Sequence, residues 1–304
     1  MKCGRLVFLT SVIFCIAGCD SERLSQFASF AAAGSLYVQD FHQLIAQAST
    51  ALVAADSATL ITARNMAGPT AVAQNAGQYS QELQKEDQLA AQNLVTLQML
   101  DAQATLLGSY FSAITQLTNG NASSQMTTSA DNLLDAINKL NPEVENAKIG
   151  GQPIKSFMQP AVNLVVAHFE VKALDEELQK AAPTIDKALT LQEAAVQAIA
   201  TQLKADLGAS LEIKESTDVI NPYVSTAALP SDWAANRQAF LQADVAVVGA
   251  PSAQQAIKQL HNDFTQLVQD KNASIDFATL MSDLEKMSNY VGAVQSSTST
   301  GGAK

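Results

Sequence analysis

The apolar side chains between residues 22 and 66 recur three and four positions apart, which is the period of an α-helix. They are Leu24, Phe27, Ala31, Gly34, Val38, Phe41, Ile45, Ala48, Leu52 and Ala55, with Phe30, Tyr37 and Leu44 widening the stripe on one side. Neither glycine nor proline interrupts residues 35–67, and Gly68-Pro69 then predicts the end of a helix ~65 Å long. A stripe this wide is typical of a helix buried in a bundle, because a two-chain coiled coil needs only a narrow seam.

A second long helix is predicted over residues 79–117. Small and polar side chains at residues 70–78 precede it and reverse the chain, and the turn signal Thr118-Asn119-Gly120-Asn121 follows it. Two long helices joined by a short link form an antiparallel hairpin. The sequence therefore predicts such a hairpin over its first 120 residues.

The chain changes character over residues 119–159. A shorter helix is predicted at residues 129–140, where Leu133, Leu134, Ile137 and Leu140 are apolar. Asn141-Pro142 predicts its end, because proline disfavours the helical conformation of the residue before it. The run Gly150-Gly151-Gln152-Pro153 predicts a loop.

The third long segment contains a proline that does not interrupt its apolar pattern. Its apolar positions fall on a single seven-residue repeat and are Leu164, Val171, Leu178, Ile185 and Ile199, with Leu174, Ala181, Ala188 and Ala195 on a companion row. Pro183 lies in the middle, and a true break followed by a new helix would have no reason to keep this phase. We therefore expect one helix from about Pro160 to Leu207, kinked at Pro183.

Shorter helices are expected towards the C-terminus. After a less regular connection from Leu211 to Pro230, helices are predicted at residues 231–248, 252–269 and 275–294. The polar residues 295–304 predict a disordered tail. Together these elements predict an all-α fold, an elongated antiparallel helical bundle with long helices and several shorter C-terminal ones, in a single domain over residues 19–294.

The first nineteen residues have the three parts of a secretory signal. Lys2 and Arg5 are basic, residues 6–17 are apolar apart from two hydroxyl side chains, and small residues precede Cys19. The apolar run is too short to span a ~30 Å hydrocarbon core comfortably. The four residues Ile16-Ala17-Gly18-Cys19 resemble the lipobox of bacterial lipoproteins.

This resemblance implies that the chain is cut between Gly18 and Cys19 and that the Cys19 thiol carries diacylglycerol, with a further acyl chain such as palmitate on the new amino group. Two or three acyl chains give stable membrane anchoring. The protein is then expected in the cell envelope, facing the periplasm. In lipoproteins of enteric bacteria an acid such as Asp20 after the cysteine favours the inner membrane, and for an unknown host the choice of membrane stays open.

Cysteine content and charge limit which disulfides and which partners are expected for the mature domain. Of the three cysteines, Cys3 and Cys15 leave with the signal and Cys19 carries the lipid, so no disulfide is expected. The formal net charge is −11, and removal of two basic residues with the signal makes it more negative. Such a surface repels phosphate backbones, which excludes nucleic acid as a partner, and it leaves the lipid as the membrane contact.

No metal or cofactor site is expected. The three histidines are His42, His168 and His261, and the residues three before them are Gln39, Val165 and Lys258, so the Glu-x-x-His pattern of di-iron bundles is absent. Asp40 and His42 are two residues apart, which places them on different helix faces. The sequence leaves open a non-covalent haem held by one histidine and one methionine, but seven methionines in an apolar bundle are typical of packing.

No catalytic site is expected either. The chain has no Gly-x-Ser-x-Gly elbow and no phosphate-binding Gly-x-x-x-x-Gly-Lys loop. Asp175-Glu176-Glu177 is a candidate for acid–base chemistry, but consecutive helical residues point in different directions, so we interpret it as a solvated face. Glu82, Glu86 and Asp87 with Lys85 are interpreted in the same way. No small-molecule substrate is evident.

Three functional hypotheses remain. The first is a lipid-anchored, non-enzymatic scaffold or protein-binding module that contacts another envelope protein. The second is a membrane-active bundle that resembles the helical pore-forming toxins in architecture only, although no stretch after Cys19 is expected to be long and apolar enough to cross a membrane. The third, an enzyme or cofactor carrier, has no supporting residues.

The lipobox makes the first prediction. Cys19→Ser removes the thiol that accepts the lipid, so the product should stay uncut or become soluble, without acyl chains. Mass spectrometry and membrane fractionation of the two forms measure this. Normal mature size together with membrane retention of the variant would contradict the assignment.

Overall fold

Helices make up nearly all of the described chain. The structure is a computed structural model that describes residues 7–119, 124–159, 164, 172–270 and 273–299. Eight α-helices follow one another along these residues, with a short β-hairpin between the third and the fourth. The fold is all-α, with long helices first and shorter ones towards the C-terminus, as predicted.

The first two helices form the predicted hairpin. Helix α1 covers Val7–Gln74 and α2 covers Ala76–Thr118. The predicted break is present at Gly68, whose φ of 75° and ψ of 161° are not helical. The chain reverses in the predicted region, but residues 70–74 and 76–78 are helical, because Pro69 resumes the helix after Gly68 and only Asn75 separates α1 from α2. Proline suits a first helical turn, where its missing N–H is not needed.

Helix α3 covers Ser124–Asn146 and contains Pro142. The prediction that Asn141-Pro142 ends this helix is therefore wrong. The reason is packing: Val144 is fully buried, as Ile137 is, so continuing the helix past the proline buries a further turn of its apolar face. The preference of the residue before proline is weaker than this burial.

A two-residue hairpin follows α3. Strand β1 is Lys148–Ile149 and strand β2 is Gln152–Pro153, paired antiparallel. Gly150 and Gly151 join them with φ of 57° and 79°, the positive values that a tight hairpin turn requires. The predicted loop is thus an ordered turn, and a single 3-10 turn at Ile154–Phe157 continues from it.

Helix α4 covers Lys172–Lys214 and contains Pro183, as the unbroken apolar phase predicts. Pro160 lies outside the described residues, but Leu164 is described and is not helical, so the prediction of a helix from Pro160 is wrong and the helix begins after Leu164. Its end is later than predicted, since the chain stays helical past Leu207 and Leu211. After α4 the chain forms a wider π-helix at Glu215–Ile220 and then α5 at Asn221–Val224. The irregular connection expected from Leu211 begins only after Val224.

The last three helices are α6 (Trp233–Val248), α7 (Ala250–Gln269) and α8 (Phe277–Ser299). Each begins within two residues of its predicted start. The predicted disordered tail is wrong for residues 295–299, which are helical in α8. The Oγ atoms of Ser296 and Ser297 donate to the carbonyl oxygens of Gly292 and Ala293, so these side chains follow the helix.

Contacts between the helices define their directions. Helices α1 and α2 are antiparallel, since Gly34 of α1 packs against Phe111 of α2, and Val38, further along α1, packs against the earlier Gly108 of α2. Helix α4 runs parallel to α1. Tyr37 contacts Gln192, and further along both helices the side chains around a shared cavity include Ala48, Leu52, Ile199 and Leu203.

Aromatic side chains fill the core where α1, α2 and α7 meet. Phe30 lies edge-on to Phe111 with ring centroids 5.7 Å apart, and its centroid is 5.8 Å from that of Phe264. Gly34 faces the Phe111 ring and leaves it room: a Cβ at this position would lie 2.6 Å from two of its carbon atoms. The absence of a side chain at Gly34 therefore sets how closely α1 and α2 approach.

A chain of hydrogen bonds between buried side chains crosses four helices. The Tyr37 hydroxyl of α1 donates to Gln192 Oε1 of α4 at 3.0 Å, and Gln192 Nε2 donates to Gln103 Oε1 of α2 at 2.8 Å. Gln103 Nε2 in turn donates to Asn141 Oδ1 of α3 at 2.7 Å. All four residues are at most 1% exposed. We call this set the amide chain.

Arg23, near the beginning of the described side chains of α1, contacts the C-terminal end of α7. Its guanidinium donates to the carbonyl oxygens of Leu267, Asp270 and Ala273, where α7 ends, and it lies 5.2 Å above the Phe27 ring. Carbonyl groups at a helix C-terminus lack helical partners and carry partial negative charge, which favours a cation there. Arg23 thereby joins the beginning of the described part of the bundle to its C-terminal helices.

Packing at Gly34 generates the second prediction. Gly34→Ala places a methyl group against the Phe111 ring, and such overpacking should lower the free energy of unfolding by about 1–3 kcal/mol. Gly208→Ala is the matched control, because nothing lies within 4 Å of its added Cβ. In that helix the exchange should raise stability by about 0.5–1 kcal/mol. Urea denaturation measures both, and equal effects would contradict the packing argument.

Candidate functional site

The predicted lipid site lies outside the residues whose side chains are described. The backbone of α1 begins at Val7, but side chains are described only from Glu22 onward. The cleavage site at Gly18-Cys19 and the lipidation of Cys19 therefore stay predictions.

The described histidines are each paired with acids on another helix. His42 Nδ1 lies 2.5 Å from Asp101 Oδ1 of α2, while its neighbour Asp40 bonds to Ser288 of α8. The two residues thus point to different helices, as their spacing predicts. His168 lies outside the described residues.

His261 of α7 is held between two carboxylates of α4. Its Nε2 lies 2.9 Å from Asp186 Oδ1, and its Nδ1 contacts Glu193 Oε1. Burial by itself would lower the pKa of His261, but hydrogen bonds and the charges of Asp186 and Glu193 outweigh it and raise the pKa to about 9. A cationic His261 therefore joins α7 to α4 at neutral pH.

This arrangement suits an ion pair and not a metal site. The two carboxylates occupy opposite nitrogens of one imidazole ring, so a single ion cannot bind all three groups. Over the described residues, no cluster of three or more histidine, cysteine or acidic side chains has metal-binding geometry.

Glu177 corrects the interpretation of the acidic run at residues 175–177 as a solvated face. Glu176 is exposed and the Asp175 side chain is not described, but Glu177 is only 4% exposed. Burial raises the pKa of Glu177, Asp131 raises it further, and Lys180 lowers it. This burial could not be predicted from the local pattern, because α3, which carries Asp131 beside Glu177, is distant in the chain. By contrast, Glu82, Lys85 and Asp87 are exposed as expected, and Glu86 is partly exposed.

Two further buried acids are bonded within their own helices. Gln202 Nε2 donates to Asp206 Oδ1 at 2.7 Å, and Gln259 Nε2 donates to Asp263 Oδ1 at 2.8 Å. Burial raises the pKa of both carboxyls, that of Asp263 to about 6. In each pair the glutamine lies one turn before the aspartate, so a single helix supplies both groups. This geometry stabilises a carboxyl within a helix and does not assemble a catalytic group of nucleophile and base.

The outer sides of α1 and α2 form a broad exposed surface that we call the neutral face. Its positions repeat three and four apart on both helices and are Ala32, Leu36, Gln39, Gln43, Ala46, Thr50, Val53, Ser57 and Ile61 on α1, and Gln88, Ala91, Val95, Gln98, Ala102, Thr105, Ser109, Ser112 and Gln116 on α2. In residues 24–63 and 88–118 the acidic, basic and histidine side chains are only Asp40, His42, Asp56 and Asp101. The remainder of this acidic protein is much richer in charge.

The neutral face combines apolar groups with small polar ones. Leu36, Val53, Ile61 and Val95 are 41%, 47%, 58% and 53% exposed. Glutamine, serine and threonine side chains supply donors and acceptors beside them. This composition can pack against another helix without burying a charge. Sequence reasoning did not identify this surface, although the same spacing of alanine, glutamine, serine and threonine is present in the sequence.

The neutral face continues onto a projecting two-helix arm. The last buried side chain on α1 is Ala55 and the first on α2 is Thr96, so residues 56–95 lie beyond the core. The α1 part of this arm is ~17 Å long up to the break at Gly68. Between Arg64 and Glu82 no residue is charged, and Met66 near the tip is 83% exposed.

Helix α1 is also more apolar than the sequence analysis expected. Over Glu22–Gln74 it is long and apolar enough, by length and composition, to cross a membrane, and 33% of its most apolar stretch is buried. The expectation that no such stretch follows Cys19 is therefore wrong. Core helices of soluble proteins also meet this criterion, so the finding defines a property of α1 and not its location.

No protein-family model, curated protein or solved structure matches this chain. The functional argument therefore depends on the chain's own surfaces and charges.

The His261 ion pair generates the third prediction. The folded pKa of about 9 exceeds the ordinary 6.5, so its stabilisation is complete below pH 6.5 and is lost as the pH rises through 9. The loss should be about 3 kcal/mol. Urea denaturation at pH 6 and pH 9 measures it.

His261→Gln should abolish this dependence and destabilise the protein at pH 6, while His42→Gln should retain the dependence. Asp263, with a pKa of about 6, titrates with the same sign, but the end of its titration above pH 6 adds only about 0.4 kcal/mol, and it does so in every variant. An unchanged pH dependence in His261→Gln would contradict the assignment.

Proposed function

We propose that this protein is a lipid-anchored component of the bacterial cell envelope that acts as a non-enzymatic scaffold or protein-binding module. The observation that carries the proposal is the neutral face. Exposed apolar surface bordered by polar groups marks interaction sites on proteins. A long exposed helix pair of this composition, on a chain with net charge −11, is suited to contact with another protein.

The geometry of α1 supports an anchored scaffold. Acyl chains on Cys19 would hold the beginning of α1 at the membrane, facing the periplasm. From Glu22 to Ala67, before the break at Gly68, the helix is ~68 Å long. The neutral face therefore extends away from the anchored end, within reach of a partner that is itself in the envelope.

The buried polar groups support a structural role. The amide chain and the His261 ion pair join different helices, and Asp206 and Asp263 are bonded within theirs. The amide chain and the His261 ion pair stabilise contacts between helices, whereas catalytic groups need access to a substrate. No small-molecule substrate, nucleic acid or cofactor is proposed.

The alternative is a membrane-active bundle, favoured by one observation: much of the apolar stretch of α1 is not buried. In this alternative the α1–α2 hairpin would leave the bundle and enter a bilayer. Release of an entrapped dye from vesicles of phosphatidylethanolamine and phosphatidylglycerol separates the two functions. The scaffold should release no dye, and rapid release at nanomolar protein would favour the alternative.

The fourth prediction tests the scaffold directly. Gln43→Glu with Gln98→Glu places two negative charges on the neutral face. Gln197→Glu with Gln255→Glu adds the same charge at exposed positions of α4 and α7. Chemical cross-linking in the native membranes, followed by purification and quantitative mass spectrometry, measures recovery of a stoichiometric protein partner.

The neutral-face variant should recover at least tenfold less partner than wild type, which corresponds to about 1.4 kcal/mol. The α4–α7 variant should recover as much as wild type. The proposal fails if no stoichiometric partner is recovered, or if both variants retain it equally.

A further inference from the structure

A second exposed surface is present where α4 ends. We call it the distal patch, and it consists of Val219, Ile220, Tyr223, Val224, Trp233 and Arg237, which line one recess. The π-helical segment Glu215–Ile220 widens the helix just before α5. Such widened turns are rare and are frequent at functional sites.

The patch is held in shape by its own contacts. The Tyr223 and Trp233 rings stack with centroids 5.5 Å apart and planes 22° apart. The indole Nε1–H of Trp233 donates to the Val219 carbonyl at 2.9 Å. These contacts join α6 to the end of α4, so the apolar surface is preorganised.

Its apolar side chains are nevertheless open to solvent. Ile220, Tyr223 and Val224 are 46%, 65% and 71% exposed, and nearby Leu229 is 47% exposed. An exposed aromatic residue beside branched aliphatic ones is typical of the centre of a protein interface. Isolated exposed apolar residues need no explanation, but this contiguous group does.

Charges around the patch select the partner. The helix that carries it contains Glu212, Glu215 and Asp218, against Lys214 on the same stretch and Arg237 across the recess. The balance is acidic, which repels anionic phospholipid and attracts a basic partner.

The position of the patch also disfavours the anchoring membrane. Helix α4 runs parallel to α1, with Gln192 beside Tyr37, and the patch begins beyond Lys214. Along the helices this places it ~60 Å from the level of Glu22. A lipid anchor at Cys19 would thus hold the patch at the opposite end of the bundle from the bilayer.

The available polar groups favour a helical partner over an extended one. The indole N–H, which could bond to the carbonyl of an extended peptide, is already bonded to Val219. A helix satisfies its own backbone and binds through side chains alone. We propose that the distal patch binds a basic amphipathic helix of an envelope protein, which rests on the proposed function as a protein-binding module.

Trp233 is the only tryptophan in the chain, so its fluorescence reports on this patch alone. The acylated full-length mature protein, in non-ionic detergent, is titrated with an 18-residue amphipathic helix of leucine and lysine. The comparison peptide has glutamate in place of lysine. Calorimetry gives the affinities independently of the fluorescence.

The lysine peptide should bind saturably and shift the Trp233 emission to shorter wavelength, while the glutamate peptide should bind at least tenfold more weakly. Tyr223→Ser and Val224→Ser should each weaken the lysine peptide at least tenfold. Met281→Ser, at a residue 44% exposed on α8, should leave its affinity unchanged.

The inference is overturned if the two peptides bind equally, if neither binds, or if the patch variants bind like wild type. It is also overturned if the emission shifts only when the protein is reconstituted into vesicles containing phosphatidylglycerol, since the surface would then contact lipid. The neutral-face cross-linking uses different residues and a native partner, so either result can fail without the other.

Discussion

The amide chain is the interaction on which the register of the bundle depends. Alanine is abundant on the buried faces of α1 and α4, and its short side chains restrict sliding between helices less than larger ones do. A hydrogen bond between fully buried amides allows no such sliding, because displacement by one turn would leave donors and acceptors without partners. The amide chain therefore sets the axial register of four helices relative to one another. The contact between Phe30 and Phe111 follows from that alignment, whereas α7 is joined to α4 separately, through His261 and its two carboxylates.

Much of this fold could be predicted from the spacing of apolar residues. The phase that continues through Pro183 predicts a single helix there, because the same face of α4 is buried on both sides. The errors have a common cause. Pro142 and the residues after Val294 have weak local helical preference, but packing or helix continuation overrides it. Glu177 looked solvated because its covering helix, α3, lies tens of residues away. Local pattern does not contain these tertiary contacts.

The neutral face and the distal patch suit partners of different size and charge. The neutral face is long, shallow and almost uncharged, so it suits extended contact with another helical surface. The distal patch is small, aromatic and bordered by acids, so it suits a short basic segment. Sequence reasoning predicted an anchored, partner-binding bundle but located only Cys19. It could not locate these surfaces, because exposure depends on which sides α4, α7 and α8 cover.

The separation in sequence between contacting helices has a consequence for how the protein forms. Tyr37 and Gln192 are 155 residues apart, and Arg23 and Leu267 are 244 apart. The α1–α2 hairpin can form early from nearby residues, but its inner face stays uncovered until α4, α7 and α8 are present. Closing such long loops is slow compared with forming a helix. A chain connected in this way completes its core only when nearly all of it has been synthesised, which would suit the export across a membrane that the proposed function requires.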